Sequence, residues 1–240
     1  MNLELALEKV HEDWLPFIND HKEELEKIFE NISEKINNEE TEIFPYNKDI
    51  FRSLFYFGPK DVKIVLLGQD PYINSEVHNN VKIPQACGLS FSVPKIHKKI
   101  PPSLKNIFLE LKNCYPESFV EREIPKHGSL KRWVKKEKIL LLNAALTVIE
   151  GKSNSHQKLW MNFTDSLIRY ISDTNEGTIF LLMGNFAIGK SKLISNKHKI
   201  FTCVHPSPLS AYNGFFGCGV FKQIDEYLES KGLDKIVWIK

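Results

Sequence analysis

The chain has 240 residues, 42% of them hydrophobic and 26% charged, with a formal net charge of +2 at pH 7. That size fits one globular domain with a substantial core, and the small net charge neither requires nor excludes nucleic acid as a partner. The sequence has no apolar N-terminal segment typical of a signal peptide, and no apolar run of about 18 residues that would span a membrane. Its four cysteines form no CxxC pair and show no Cys/His spacing typical of zinc sites. We therefore expect an intracellular protein with reduced thiols and no membrane partner.

The first 42 residues predict a helical extension packed on the main domain. Apolar side chains from Leu3 to Ile36 recur near helical spacing among many Lys and Glu residues. The sequence "FPY" at 44–46 interrupts that pattern, and a short helix is expected through residues 50–55. We accordingly divide the chain into an extension, residues 1–42, and a main domain, residues 43–240.

Four apolar runs in the main domain predict β-strands, at residues 63–67, 138–142, 178–183 and 199–204. Helix candidates lie between and after them, at residues 103–113, 159–173 and 219–231. Strands that alternate with helices are typical of α/β proteins with a parallel sheet. We therefore predict a three-layer α/β/α fold around a mainly parallel, four-stranded central sheet.

Polar residues, and one glycine, follow the ends of the predicted strands: Gln69 and Asp70 after the first, Asn143 after the second, Gly184 and Asn185 after the third, and His205 after the fourth. The carboxyl ends of parallel strands meet at one edge of a sheet, where ligands of such proteins bind. We therefore expect the polar side chains to gather at that edge and form one site.

Asp70 and His205 suit hydrolysis of a bond whose leaving group departs as a stabilised anion. A serine hydrolase is disfavoured because the Gly-x-Ser-x-Gly motif is absent, and no second carboxylate accompanies Asp70 for ordinary sugar hydrolysis. A carboxylate can orient water and support a cationic sugar, while an imidazole donates a hydrogen bond to the departing oxygen. The amide of Asn143 can pair with the edge of a uracil-like base and mismatch cytosine, and Phe91 is a candidate to stack on such a base.

Two segments rich in serine and proline supply groups suited to phosphates. They are "IPPSLKNI" at 100–107 and "HPSPLSAY" at 205–212, which offer hydroxyl and backbone N–H donors. Leu209, in the second segment, is a candidate apolar wedge. Together with the base-reading amide, these segments indicate a nucleic-acid substrate.

Six motifs, in order along the chain, carry a resemblance to a known family. They are "GQDPY", "GLSFSV", "PPSLKNI", "LLLNAALTV", "SNSH" and "HPSPLSAYNGFFGC", between Phe44 and Phe221. Together they resemble the uracil-DNA glycosylases of family 1, which remove uracil from DNA and leave an abasic site. The resemblance implies a monofunctional, monomeric enzyme of base excision repair that uses no metal or organic cofactor. Its partner would be uracil-containing DNA, single- or double-stranded, with replication or repair proteins as further candidates.

The resemblance also implies a role for each matching residue. Asp70 would activate the water that attacks C1′ of the deoxyribose, and His205 would stabilise the leaving uracil anion. Uracil would be held by Gln69, Tyr72, Phe91 and Asn143, with Tyr72 excluding the methyl group of thymine. The DNA around the flipped nucleotide would be contacted by Pro101, Pro102, Ser103, Gly184, Asn185, Ser207, Leu209, Ser210 and Tyr212, with Leu209 filling the gap in the base stack.

Three single positions depart from the family pattern. Ile73 follows "DPY" where the family usually has His, Asn185 stands where it commonly has Ser, and Asn213 follows "SAY" where it often has Arg. None of the three replaces a catalytic or base-reading residue. These departures therefore predict altered DNA affinity with the chemistry retained.

Residues outside the motifs are expected to be surface features. Residues 73–87 form a longer connection than is usual in the family, and their polar composition predicts a surface loop. Five histidines have no partner in the sequence and are expected at the surface or in loops: His78, His97, His127, His156 and His198.

Two alternative functions remain open from the sequence. The segment "GNFAIGKS" at 184–191 fits the phosphate-loop pattern G-x-x-x-x-G-K-[ST] after an apolar strand, which would indicate an NTPase. Against it, the segment comes late in the chain, and the next strand has no terminal Asp for a magnesium site. The second alternative is a non-catalytic DNA-binding protein of the same fold that serves as a replication partner.

Overall fold

Helices and strands alternate along most of the chain. The computed structural model describes residues 1–39, 41–119 and 124–239. The α-helices are α1 (Leu3–Leu7), α2 (Leu15–Asp20), α3 (Lys22–Glu39), α4 (Pro102–Cys114), α5 (Lys131–Glu137), α6 (Gln157–Thr174), α7 (Asn185–Ile188) and α8 (Val220–Ser230). The strands are β1 (Ile43–Phe44), β2 (Ile64–Gly68), β3 (Ser75–His78), β4 (Val81–Pro84), β5 (Ile139–Asn143), β6 (Val148–Ile149), β7 (Ile179–Met183) and β8 (Lys199–Cys203). Among the helices within these ranges, none is long and apolar enough to cross a lipid bilayer.

The centre of the fold is a parallel sheet with the strand order β5–β2–β7–β8. All five residues of β2, β5 and β7 are buried, which requires both faces of the sheet to be covered. Their sequences, IVLLG, ILLLN and IFLLM, are accordingly almost continuous apolar runs. The register aligns Gly68 at the end of β2 with Asn143 at the end of β5. The prediction of a parallel, four-stranded central sheet is confirmed.

Helices cover both faces of this sheet. The connection from β2 to β5, which contains α4, runs toward one edge of the sheet, and the connection from β5 to β7, which contains α6, runs back toward the other edge. Because both connections are right-handed, α4 and α6 lie on opposite faces of the sheet. Helix α8 packs against α4, and α3 packs against α6, which completes the two helical layers. The fold is therefore the predicted three-layer α/β/α arrangement.

The N-terminal helices share the hydrophobic core of the sheet. Trp14 is fully buried, and its indole N–H donates to the carbonyl oxygen of Phe57 at 2.8 Å. The ring centroid of Phe17 in α2 lies 5.4 Å from that of Phe163 in α6. The division of the chain at residues 42 and 43 stays a prediction, and its two ranges include residues 40, 120–123 and 240, which lie outside the described residues.

Residues 73–83 lie at the surface, as predicted, but they form most of a β-hairpin, so the prediction of a loop is wrong. Strands β3 and β4 pair antiparallel along their whole length. Asn79 and Asn80 connect them, and both have positive φ angles, of 49° and 62°. A two-residue turn with positive φ at both positions matches the right-handed twist of the flanking strands, and Asn tolerates this conformation. The Asn-Asn pair is therefore the sequence signal for the hairpin.

Three histidines expected at the surface or in loops are buried: His97, His156 and His198, with exposed fractions of 1%, 1% and 8%. Each ring has one nitrogen within hydrogen-bonding distance of an oxygen atom: Pro84 O (2.9 Å), Thr147 Oγ1 (2.9 Å) and Ser172 O (2.7 Å), respectively. Such a partner offsets part of the cost of removing an imidazole from water. The partners come from distant or differently folded segments, so spacing in the sequence does not reveal them.

Candidate active site

A cavity of about 240 Å³ opens at the edge of the sheet where β2 and β5 end. Seven of the predicted site residues line it: Gln69, Asp70, Tyr72, Phe91, Ser103, Asn143 and His205. The carboxylate and the imidazole of this set follow β2 and β8, and the amide belongs to the last residue of β5. The parallel sheet therefore brings them together from distant parts of the chain.

Asp70 is held by two donors from the loop that precedes α6. Its Oδ2 accepts from Ser153 Oγ at 2.8 Å and from the backbone N–H of Asn154 at 2.7 Å. The neighbouring Gln69 Nε2 donates to Asn154 Oδ1 at 2.5 Å. These bonds fix the carboxylate, and they leave its Oδ1 without a hydrogen-bond partner among the residues that the structure describes. A water molecule can therefore bind there.

Asn143 ends β5 beside Gly68, the last residue of β2. A Cβ atom at position 68 would lie 2.3 Å from Asn143 Oδ1 and 2.9 Å from Cβ of Ser90. Glycine at this position is therefore what leaves room for the amide. Asn143 lines the cavity while exposing only 8% of its surface, so its polar atoms meet a ligand in an environment with little water.

His205 follows β8 and is oriented by its own loop. Its Nδ1 accepts from the backbone N–H of Ser207 at 3.0 Å, so the proton of the neutral ring lies on Nε2. Burial lowers the pKa of His205 below its ordinary value of 6.5, which favours the neutral ring at pH 7. The backbone carbonyl of His205 accepts from Ser210 Oγ at 2.9 Å. The ring thus keeps one N–H free for donation.

Gly184, after β7, leaves room for His205. Its φ angle is +85°, and a Cβ atom there would lie 2.7 Å from Cβ of His205. The N–H of Gly184 donates to the carbonyl of Cys203 at 2.8 Å and so holds the ends of β7 and β8 together. Gly184 and Asn185 line a smaller cavity of about 110 Å³ that also touches Gln69 and His205.

Phe91 lines the cavity with a strained backbone. Its φ angle is +59°, which costs a bulky residue about 1–3 kcal/mol. Its carbonyl accepts from the hydroxyl of Tyr72 at 3.1 Å, and its ring centroid lies 6.0 Å from that of His205. Burial raises the pKa of Tyr72, so the hydroxyl stays protonated and able to donate. The strained backbone therefore belongs to an aromatic residue that lines the cavity.

The segment before α4 forms one part of the cavity rim. Pro101 precedes the helix, Pro102 begins it, and Ser103 reaches the cavity. Backbone N–H groups at the start of a helix attract anions such as phosphate. From the next turn, Asn106 Nδ2 donates to the carbonyl of Pro206 at 2.8 Å. This bond links the two serine- and proline-rich segments.

The loop after His205 forms the other part of the rim. Leu209 and Tyr212 expose 92% and 87% of their surface, and neither lines the cavity. Ser207 and Ser210 are half-buried within the same loop. The loop is fixed by its own hydrogen bonds and presents both side chains to solvent.

Known proteins resemble this chain over most of its length. The uracil-DNA glycosylase of Aliarcobacter butzleri is 41% identical over 230 residues, 95% of this chain and 96% of the relative. That of Bacillus subtilis is 44% identical over 225 residues, 92% of this chain and 93% of the relative. The family profile described as "Uracil DNA glycosylase superfamily" matches residues 55–229. The chain belongs to the uracil-DNA glycosylase superfamily.

Solved structures of the superfamily share the fold of this chain. The crystal structure of mimivirus uracil-DNA glycosylase aligns with a TM-score of 0.88 at 28% identity, covering 99% of this chain and 89% of that chain. A variant of the mimivirus enzyme, solved in complex with UGI, also aligns with a TM-score of 0.88. The agreement extends to the N-terminal helices, since it covers almost the whole chain.

The phosphate-loop pattern at 184–191 serves packing in this member of the superfamily. Its residues form the short helix α7 and then a 3-10 turn from Gly189 to Leu193. The side chain of Lys190 is buried and forms an ion pair with Asp165 of α6 at 2.6 Å. Because a lysine held in this way does not reach a phosphate, the NTPase alternative is not supported.

Three residues that shape this glycosylase-type site carry no sequence-based prediction. They are Gly68, Ser153 and Asn154. The last two lie in "SNSH", a motif that contributes to the family resemblance without a stated role. Their hydrogen bonds to Asp70 span 83 and 84 positions of sequence, so only the folded chain reveals them.

Proposed function

We infer that this protein is a uracil-DNA glycosylase: it removes uracil from DNA by hydrolysing the N-glycosidic bond, and it leaves an abasic site for base excision repair. The observation that carries this function is the convergence of Asp70, Asn143 and His205 on one cavity. The reaction needs a carboxylate, a group that reads the base and a donor for the leaving base. Relatives named uracil-DNA glycosylases, at 41% and 44% identity over most of the chain, support the same assignment.

In this proposal Asp70 orients the attacking water. Oδ2 is occupied by the donors of Ser153 and Asn154, so Oδ1 is the atom that accepts a hydrogen bond from the water. This bond directs a lone pair of the water oxygen toward C1′ of the deoxyribose. The negative charge also stabilises the cationic, oxocarbenium-like sugar of the transition state. Because the carboxylate is already fixed by its hydrogen bonds, it needs little reorganisation as positive charge develops on the sugar.

His205 acts on the leaving base. As the bond between C1′ and N1 breaks, its electron pair stays with uracil and negative charge builds on O2. The Nε2–H of the neutral ring donates to that oxygen, while the Ser207 N–H on Nδ1 fixes the tautomer. A neutral donor avoids the cost of keeping an imidazolium in a buried position.

Asn143 reads the base. Its amide donates to O4 of uracil and accepts from N3–H, whereas cytosine presents a donor and an acceptor in the opposite order. A mismatched base would leave polar groups unpaired in a site with little water. The free-energy cost of those unpaired groups disfavours binding of the wrong base more than the loss of one favourable contact would.

Gly68→Ala tests the placement of that amide. The added Cβ would lie 2.3 Å from Asn143 Oδ1, so the side chain must move, and we expect kcat/KM for uracil release to fall by about 10²-fold. A fluorescence-coupled cleavage assay measures this loss. Gly189→Ala is the matched control, because a Cβ there meets no atom within 4 Å. Equal activity of the two variants would contradict the role given to Gly68.

Tyr72 is proposed to exclude thymine by occupying the space beside C5 of the base. Tyr72→Ala should lower the ratio of uracil to thymine release by about 10–200-fold, the range expected for a single methyl group in a pocket. Base release from matched U- and T-containing oligonucleotides measures the ratio. Tyr212→Ala, which removes an exposed tyrosine outside the cavity, should leave selectivity unchanged. An unaltered ratio in Tyr72→Ala would show that another group excludes the methyl.

DNA is proposed to bind across the two rim segments. The N-glycosidic bond is out of reach inside a duplex, so the nucleotide must be flipped out at a cost of a few kcal/mol. Leu209 is exposed enough to enter the base stack, and Ser103, Ser207 and Ser210 supply donors for phosphates on either side. We further propose that the protein is a monomer and works inside the cell, where the genome is replicated and repaired.

A non-catalytic DNA-binding role predicts a different result. In that case wild type and Asp70→Asn would retain uracil-containing DNA equally, and neither would release uracil. The proposed enzyme instead predicts rapid release by wild type alone. One gel-shift experiment and one base-release experiment on the same preparations separate the two functions.

A further inference from the structure

A second cluster of reactive side chains lies between the β3–β4 hairpin and residues 94–100. Glu76 and His78 of β3, together with His97, each offer one ligand atom, and these atoms all lie within 4.8 Å of one another. Glu76 and His78 stand two positions apart on a strand and share a face, while Val77 between them is 70% exposed on the opposite face. None of these residues lines the cavity that holds Asp70.

The ring of His97 keeps its proton on the nitrogen that points away from the cluster. Its Nε2 lies 2.9 Å from the carbonyl oxygen of Pro84, and because a carbonyl can only accept, Nε2 carries the proton. Nδ1 of His97 lies 3.2 Å from Glu76 Oε2, and with the proton on Nε2 alone it directs a lone pair toward the cluster. His97 is 1% exposed, and its Nδ1 makes no hydrogen bond to any residue in the described ranges. A backbone carbonyl on the other ring nitrogen is the usual orienting partner of a metal-binding histidine.

Two of the three distances within the cluster are close to those of tetrahedral coordination, and all three are within 4.8 Å. Oε2 of Glu76 lies 3.2 Å from Nδ1 of His97 and 3.4 Å from Nε2 of His78. Ligand atoms at about 2.0–2.2 Å from a tetrahedral zinc ion lie about 3.3–3.6 Å from one another. Nε2 of His78 is also buried and, within the part of the chain that is described, has no hydrogen-bond partner. Gln85 Nε2 donates to the other oxygen of Glu76 at 3.4 Å, so the carboxylate is supported from outside the cluster.

We propose that Glu76, His78 and His97 bind one Zn²⁺ ion, with water as the fourth ligand. Two imidazoles and a carboxylate form a ligand set that zinc accepts, and the ion supplies the positive charge toward which their lone pairs converge. The ion ties β3 to residues 94–100, which lead directly into the rim segment at 101–103. It holds these two segments together outside the cavity that contains Asp70, whereas the family resemblance implies no metal. The proposal does not rest on the proposed function.

Metal content is the first test. Full-length protein purified without a polyhistidine tag should carry about one zinc ion per chain by inductively coupled plasma mass spectrometry. Glu76→Gln and His78→Gln should each lose at least about nine-tenths of that zinc, because each removes one of three protein ligands. His127→Gln, which removes a half-buried histidine outside the cluster, is the matched control and should keep it. Another first-row ion with the same stoichiometry and the same losses would support the site and correct its occupant.

Thermal unfolding is the second test. When Zn²⁺ exceeds its Kd about a hundredfold, the Tm of metal-stripped wild type should rise by about 5–10 °C. The same addition should leave the Tm of Glu76→Gln unchanged. Wild type without stoichiometric metal and without a zinc-dependent rise in Tm would overturn the proposal, and His97 and Glu76 would then be an ion pair. Zinc bound equally by Glu76→Gln and His78→Gln would also overturn it.

Discussion

Replacing Asp70 with Asn should lower the rate of uracil release by about 10³-fold while leaving the fold intact. The amide oxygen can still accept from Ser153 Oγ and from the Asn154 N–H, so the loop before α6 keeps its place. The variant loses the negative charge that we propose orients the water and stabilises the cationic sugar. Single-turnover cleavage of a duplex with one uracil measures the chemical step directly, and thermal unfolding checks the fold.

Asp173→Asn provides the matched control for this substitution. Asp173 is an exposed residue of α6, outside the cavity, so its replacement changes the net charge equally and should leave the rate near that of wild type. If the rate of uracil release by Asp70→Asn stays within about tenfold of the wild-type rate, the loss is smaller than removal of a general base produces. That result would contradict the role given to Asp70.

His205→Leu should lower the rate of uracil release by about 10²–10³-fold, the loss expected when one preorganised donor to a developing negative charge is removed. Leucine fills part of the space of the ring without offering a donor. Binding of a non-cleavable uracil analogue in DNA should weaken far less than the rate, because O2 carries its full negative charge only as the bond breaks. His127→Leu should leave both quantities unchanged. Equal losses in binding and rate would mean that His205 serves substrate binding alone.

The same ring sets an expectation for the dependence of activity on pH. Burial lowers the pKa of His205, so the ring stays neutral as the pH falls through 6.5 and gains a proton only below it. Activity should therefore hold at pH 6.5 and decline at lower pH, where a proton on Nδ1 would displace the Ser207 N–H. A profile of kcat/KM against pH that already falls above pH 6.5 would contradict the neutral donor.

The sheet and the centre of the site could be predicted because both follow from local sequence patterns. Strands buried on both faces read as continuous apolar runs, such as IVLLG in β2 and ILLLN in β5. Once these strands are parallel, their carboxyl ends meet, and any polar residue that follows them lies at the same edge. Asp70, Asn143 and His205 could therefore be grouped without knowledge of the helices.

The remaining features depend on contacts that a local pattern does not contain. Ser153 and Asn154 reach Asp70 only after α6 has packed on the sheet, and the need for Gly68 follows from the position of Asn143 on the neighbouring strand. The polar composition of residues 75–84 predicts a loop and not a hairpin, although the Asn-Asn turn is a local signal for the hairpin. Likewise, the cluster around His97 joins a strand to a loop nineteen and more positions away, so three scattered residues read as ordinary surface groups.

The measurement that tests the central claim most directly is free-base release from three oligonucleotides that differ at one position, carrying U, T or C. We predict that wild-type protein releases uracil from the first, leaves an alkali-labile abasic site there, and releases no base from the other two. Asp70→Asn, expressed and purified in parallel, sets the background from host glycosylases. Uracil release at equal rates by both preparations, or by neither, would contradict a glycosylase centred on Asp70, Asn143 and His205.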